Sequence, residues 1–280
     1  MSLEAVTRKD FEDAVRSRWL LALSAFFVLL VSGVAYIVRP GGGGTFSSNA
    51  ILGLVNGSLV TTLVPLIALV IAYGAVVGER ESGSLKLLLS LPHSRAEVVF
   101  GKVLGRTGAM AVPIVIGFLL PALVLAVGPL QFDAGSYIGY TLLVVFLAAV
   151  FVAIAVGFSA AVPSQRLAVA GAVAVYFVFV PLWQILQLPL QFFLLGGTPG
   201  WLPLTGNEVL RLVRLVNPTG SFKIVSGEYL AGTLLAAGEA GSDAAGQWAT
   251  NMEIAAVAML IAWLLVPPLL GLWRFEQADL

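Results

Sequence analysis

Six long runs of this sequence contain no Asp, Glu, Lys, Arg or His: 19–38, 51–77, 107–127, 137–162, 167–187 and 254–272. A helix needs about 20 mainly apolar residues to cross a bilayer, and every run is near or above that length. Unpaired backbone groups are not tolerated in lipid, so continuous apolarity of this length specifies helices. A membrane β-barrel would instead alternate apolar and polar residues. Pro113, Pro121, Pro181, Pro267 and Pro268 fall inside the runs; bundled spans tolerate them where neighbours satisfy the freed carbonyls. Only 11% of the 280 residues are charged and mean hydropathy is +0.98, whereas a soluble domain carries about 25% charge. The expected fold class is therefore all-α: a single polytopic membrane domain over 1–280 with six transmembrane helices.

Basic residues orient the spans. With the N-terminus inside, the cytoplasmic segments hold Arg8, Lys9, Arg16, Arg18, Arg80, Lys86, Arg95, Lys102, Arg106, Arg166 and Arg274. The opposite side holds Arg39, Arg211, Arg214 and Lys223. This bias predicts two cytoplasmic termini and places the loop 188–253 outside. Segment 1–18 mixes charges of both signs, and the run after it is too long for a signal-peptide core, so no cleaved leader is expected. It reads as a helix lying in the inner interface, with Leu3, Val6, Phe11 and Val15 toward lipid; a solvated helical extension is the alternative. The four glycines 41–44 read as a linker. In the outer loop, Thr205 and Glu208 have capping-box spacing and open a short amphipathic helix to Val216. Asn217-Pro218-Thr219-Gly220 is expected to end it as a turn.

The densest charge lies between the second and third runs, in the loop 79–106. The second helix is expected to continue to Glu81, with Ser82-Gly83-Ser84 as a break. Leu85, Leu88 and Leu89 then share one helical face, and Lys86 lies on another. Pro92 ends that short helix. Ser94 and Glu97 have capping-box spacing and start a new helix at Arg95. A short amphipathic helix tied to two spans has two readings. It is an anchor in the headgroup layer, with Lys86, Arg95 and Lys102 on phosphates, or a docking element for a protein. The mixed signs of Glu79-Arg80-Glu81 favour a protein, since phosphates select a purely basic face.

These residues resemble the cytoplasmic loop of ABC-2-type transporter permeases. The likeness is carried by Glu79-Arg80-Glu81-Ser82-Gly83-Ser84, the leucine run 85–91, Pro92-His93-Ser94-Arg95 and Val98-Val99-Phe100-Gly101-Lys102. The leading segment RKDFEDAVRSRW is similar to that family's first helix, with Asp10 where Glu is commoner, and LVNPTGSFKI resembles its outer Asn-Pro segment. Within the family, the chain resembles the subgroup that includes the permease of the nitrous-oxide-reductase maturation system. The resemblance implies a coupling helix that docks into a groove of a separate P-loop ATP-binding subunit. Glu79, Arg80, Glu81, Gly83, Leu85, Lys86, Leu88, Leu89, Pro92, Arg95 and Lys102 would form that interface. It further implies a second permease subunit, identical or related, in the cell membrane, and transport directed outward.

The sequence offers no chemistry of its own. It has no cysteine, one histidine (His93) and no G-x-x-x-x-G-K-[ST], H-E-x-x-H or G-x-S-x-G pattern, so ATP would bind the partner subunit and no cofactor or metal is expected here. Zero net charge argues against a nucleic-acid partner. Charge-free spans also argue against an ion-coupled carrier. Asn56, Ser58, Thr61, Thr62, Gln184 and Gln187 are the polar residues placed to line a pathway; hydrogen bonding between helices is the competing reading for each. Lone span serines such as Ser24, Ser32 and Ser159 read as packing residues bonded to backbone. A membrane scaffold that recruits a soluble partner through 79–106, without transport, is the alternative function.

Overall fold

The structure is a computed structural model and describes residues 3–15, 18–37, 47–85, 94–127, 132–194, 197–198, 204–234 and 244–278. Among these residues there is no β-strand. Five stretches are long and apolar enough to cross a membrane: Thr61–Glu81, Arg95–Leu123, Ala134–Ala161, Gln165–Leu194 and Thr250–Glu276. A shorter apolar helix, Ala22–Val34, lies within the first predicted span. The fold is thus all-α and multi-spanning, as the charge-free runs require.

Helix α1 (Leu3–Val15) precedes α2 (Arg18–Ile37). The second run is segmented rather than continuous. It comprises α3 (Ser48–Leu54), a π-helical turn Val55–Val60, α4 (Thr61–Ala72), a turn over 73–76 and α5 (Val77–Glu81). Pro65 has no N–H for the Thr61 carbonyl and crowds it, and the wider π turn sits immediately before this point. The fifth run shows the same association: α8 (Gln165–Phe177) passes through a π turn, Val178–Leu182, that contains Pro181, into α9 (Trp183–Leu194). That helix runs past the predicted end at 187 and keeps Pro189 inside it. Between these lie α6 (Arg95–Val127), which starts at the predicted residue, and α7 (Ala134–Ala161).

Two shorter helices follow. α10 (Gly206–Val216) starts at the expected capping box, with Thr205 and Glu208 bonded reciprocally. The turn expected at Asn217–Gly220 is instead the start of a further helix, α11 (Pro218–Ala231). Asn217 is extended and serves both as the end of α10 and as the N-cap of α11, accepting from the Thr219 N–H at 2.8 Å. Pro218 follows at the first helical position, where its missing N–H costs nothing. The last helix, α12 (Ala244–Glu276), begins well before the predicted boundary at 254.

α7 is the central post. It packs against α4, α6, α11 and α12, and Val144, Leu147, Ala148, Val150, Phe151, Val152 and Ala153 are sealed from solvent. Lipid is as apolar as leucine, so helices in a membrane associate through close packing rather than through burial from water. The α7–α12 crossing shows how close. A Cβ at Gly157 would lie 2.3 Å from the Pro267 carbonyl oxygen, and one at Gly271 would lie 2.2 Å from the Gly157 oxygen. The two backbones touch there with no side chain between them.

Candidate coupling interface and pathway

At the end of the bundle where α1 packs, the break in the second span leaves backbone groups without helical partners, and side chains from α6 and α7 satisfy them. Arg106 of α6 donates through Nη1 to the Ile71 carbonyl at 2.5 Å, at the end of α4. Ser159 of α7, fully buried, accepts the Val76 and Val77 N–H groups at 3.1 Å each. The same Arg106 donates through Nε to Asp10 Oδ2 of α1 at 2.9 Å. Asp10 Oδ1 lies 3.6 Å from Lys102 Nζ, and Lys102 is 2.8 Å from Glu79 Oε1, just beyond the break. Asp10 is 8% exposed and Lys102 3%. One carboxylate on the N-terminal helix therefore faces two cations of α6, which reach opposite sides of the same turn.

α1 is held for this by a strip of glycines on α6. A Cβ at Gly101 would meet Val6 Cγ1 at 2.7 Å, one at Gly105 would meet Asp10 Cβ at 2.8 Å, and one at Gly108 would meet the Phe11 ring at 3.1 Å. The expectation that 1–18 lies with its apolar side in lipid is corrected in part. Val6 and Asp10 are buried in the chain, against α6, while Leu3 remains exposed. Phe11 faces α6 through Gly108 as well. The missing side chains on α6 admit α1 closely enough to compete with lipid.

Among the described residues, the charged ones predicted to dock a partner have partners within the chain. Glu79 binds Lys102 as above. Arg80 Nη1 donates to the Val162 carbonyl at 3.0 Å, and its guanidinium lies 5.2 Å from the Phe275 ring centre. Arg95 covers the same ring at 5.0 Å and donates to the carbonyls of Phe275 and Ala278. A cation over an aromatic face is attracted by the ring quadrupole, and here two share one buried ring. Glu81 accepts the Gln165 N–H at 2.7 Å, anchoring the start of the fifth span. Gly83 has φ +75°, the left-handed conformation that favours glycine, and it makes the expected break. Ser82 and Ser84 both donate to the Glu79 carbonyl, at 3.3 and 3.4 Å. Leu85 is buried rather than presented outward. Ser94 and Glu97 form the predicted capping box, with Ser94 N–H to Glu97 Oε2 at 2.8 Å and Glu97 N–H to Ser94 Oγ at 3.1 Å. Lys86, Leu88, Leu89 and Pro92 lie outside the described residues.

The polar pathway candidates are divided. Asn56, within the first π turn, is buried and accepts from Tyr140 Oη at 3.3 Å and Ser226 Oγ at 3.1 Å. Gln187 is buried and accepts from Arg214 Nε at 3.2 Å. For these two the hydrogen-bonding reading holds. Thr61 is buried with an unpartnered hydroxyl, Thr62 is half-buried and Gln184 is exposed. Ser58 belongs to the same π turn as Asn56.

The α10–α11 hairpin reaches into the bundle. Asn217 Nδ2 and Thr219 Oγ1 donate to the Phe179 carbonyl in the second π turn, at 2.7 and 3.2 Å. Trp263 Nε1 donates to the Val216 carbonyl at 3.0 Å. Phe179 and Trp263 belong to the fifth and sixth spans, so the hairpin tip sits beside span residues. Glu208 is held below the usual carboxylate range by the Thr205 N–H and then its hydroxyl. Asp133, which caps α7, is lowered by the Ser136 hydroxyl and N–H. Sequence reasoning missed Asp10, Asn217 and the role of Arg106. The signals were the i, i+4 spacing of Lys102 and Arg106, and an Asx-Pro pair that reads equally as a turn or as a helix start.

The described residues form a multi-spanning helical bundle whose charged 79–106 loop is braced at both ends and whose α10–α11 hairpin packs against span residues. The chain belongs to the ABC-2 family of transporter proteins, whose family model matches residues 4–280. It is similar to two proteins described as "Probable ABC transporter permease protein NosY". One, from Stutzerimonas stutzeri, is 32% identical over 273 residues, spanning 92% of this chain and 95% of that protein. The other, from Pseudomonas aeruginosa, is 35% identical over 232 residues, spanning 79% and 80%.

Proposed function

We propose that this chain forms the substrate pathway of an ATP-driven transporter of the cell membrane, with both termini cytoplasmic. It assembles with a second permease subunit, identical or related, and is driven by separate P-loop ATP-binding subunits. The loop 79–106 is the docking element. ATP closes the partner, the partner displaces the loop, and the spans rock between inward and outward openings. Transport runs outward. The observation that carries this reading is the loop itself, in a chain that belongs to a transporter family and has no P-loop. Both ends of the loop are pinned to the bundle, through Glu79–Lys102 and Glu81–Gln165 at one end and Arg95–Phe275 at the other. A push on its middle therefore reaches the second, third, fifth and sixth spans together.

The test is co-purification of an ATPase encoded beside this chain, followed by reconstitution in lipid vesicles. Reversing Lys86 to Glu is expected to abolish ATPase association while leaving membrane insertion intact. Stable assembly without any ATP-dependent substrate movement would instead favour a scaffold that recruits a soluble partner through the same loop.

A further inference from the structure

The break at 73–76 is the one interruption of the second span that charged side chains brace from both sides. Arg106 holds the carbonyl before it, at Ile71, and Lys102 holds Glu79 after it. Both cations converge on Asp10, the only acidic residue of α1 that is buried. We infer that Asp10 is a positioning residue of the coupling path: it makes α1 a rigid strut that keeps α4 and α5 in register across the break, so that displacement of the loop is delivered to α4 instead of being absorbed by the turn.

The geometry sets the requirements. The turn has soft dihedrals, and a force applied to α5 bends it unless both flanks are tied to one body. α6 supplies that body, since Lys102 and Arg106 stand one helical turn apart on one face. Two cations at that spacing repel, and the carboxylate that neutralises both comes from α1. The approach is close because position 105 carries no side chain: a Cβ there would lie 2.8 Å from Asp10 Cβ and 3.1 Å from its Oδ2. Lys102 and Asp10 are largely shielded from water, so the charges are screened little by salt.

This role rests on the transporter reading above, and the experiment separates the two. The chain contains no cysteine, so paired cysteines accept spin labels at defined positions. One pair, Leu3→Cys with Leu66→Cys, reports α1 against α4; the other, Leu66→Cys with Val169→Cys, reports α4 against α8. Pulsed electron resonance is run on the full complex with its ATPase in lipid nanodiscs, with and without ATP. In the otherwise unaltered protein the α1–α4 distance is expected to stay narrow while the α4–α8 distance shifts with ATP. Asp10→Asn is expected to broaden the α1–α4 distribution and to reduce the ATP-driven α4–α8 shift by more than half, with the ATPase still bound. Arg106→Lys keeps the charge but cannot reach both Asp10 and the Ile71 carbonyl, and is expected to act the same way; it serves if Asp10→Asn fails to fold. An unchanged α4–α8 shift in both Asp10→Asn and Arg106→Lys overturns the role of Asp10 and leaves the transporter reading standing. Absence of any ATP-driven shift in the unaltered complex overturns the transporter reading, and this role with it.

Discussion

Ser159→Ala removes one oxygen from a fully buried site and strands two backbone donors. Val76 and Val77 occupy the N-cap and first positions of α5, where no intrahelical carbonyl reaches them. Both N–H groups point at the Ser159 hydroxyl at 3.1 Å. A buried donor left unsatisfied costs about 1–3 kcal/mol. Two donors give a range of about 2–6 kcal/mol, and partial relaxation of the 73–76 turn brings the expectation to about 2–4 kcal/mol. At 1.4 kcal/mol per decade, that is a ~30- to ~700-fold increase in exchange at these two amides. Hydrogen exchange with mass spectrometry, on peptides covering 70–82 in nanodiscs, measures it directly. Ser159→Cys supplies a weaker acceptor and is expected to fall between. Exchange of the Val76 and Val77 amides within threefold of the unaltered protein would refute the reasoning, because it would mean that the turn finds other acceptors at no cost.

Gly105→Ala places a carbon 2.8 Å from Asp10 Cβ and 2.9 Å from the Thr7 carbonyl oxygen, and is expected to destabilise α1 docking by about 1–3 kcal/mol, read as faster proteolysis after Arg8 and Lys9. Asn217→Ala removes the N-cap of α11 and one of two donors to Phe179; a loss of about 0.5–2 kcal/mol is expected from the cap alone, followed through Trp263 fluorescence. The Glu208 carboxylate is depressed, so its cap contributes at neutral pH and is lost as pH falls through the lowered value. Amide exchange at Glu208 is expected to rise over that acidic range in the native chain and to lose that pH dependence in Glu208→Gln.

Much of the architecture was legible because charge is so scarce. A run such as 137–162 has one physical solution in lipid, and α7 matches it within a few residues. The Ser-Gly break and both capping boxes were equally readable, because each rests on local hydrogen bonds between near neighbours. The two π turns were not. Proline marks a place where a span must adapt, but whether it kinks, bulges or stays straight depends on acceptors from elsewhere, such as Asn217 and Thr219 at Phe179. Asp10 was unreadable for the same reason. Within its own helix it is one charge among several, and only the glycine strip of α6, almost a hundred residues away, makes it the buried one. The pathway candidates show the limit from the other side: Asn56 and Gln187 have the polarity of a channel lining, and the structure spends it on neighbours.

The crossing of α7 and α12 constrains how such a bundle moves. Switching between two packings is ordinarily a matter of side chains exchanging grooves, one rotamer set for another. At Gly157 and Gly271 there are no rotamers to exchange, and the carbonyls already occupy the space that a sliding helix would need. The fourth and sixth spans therefore behave as a single welded member. Any rocking has to be taken up at other joints, and the fifth span, the least enclosed of the five long helices and itself interrupted by a π turn, is the freest to move.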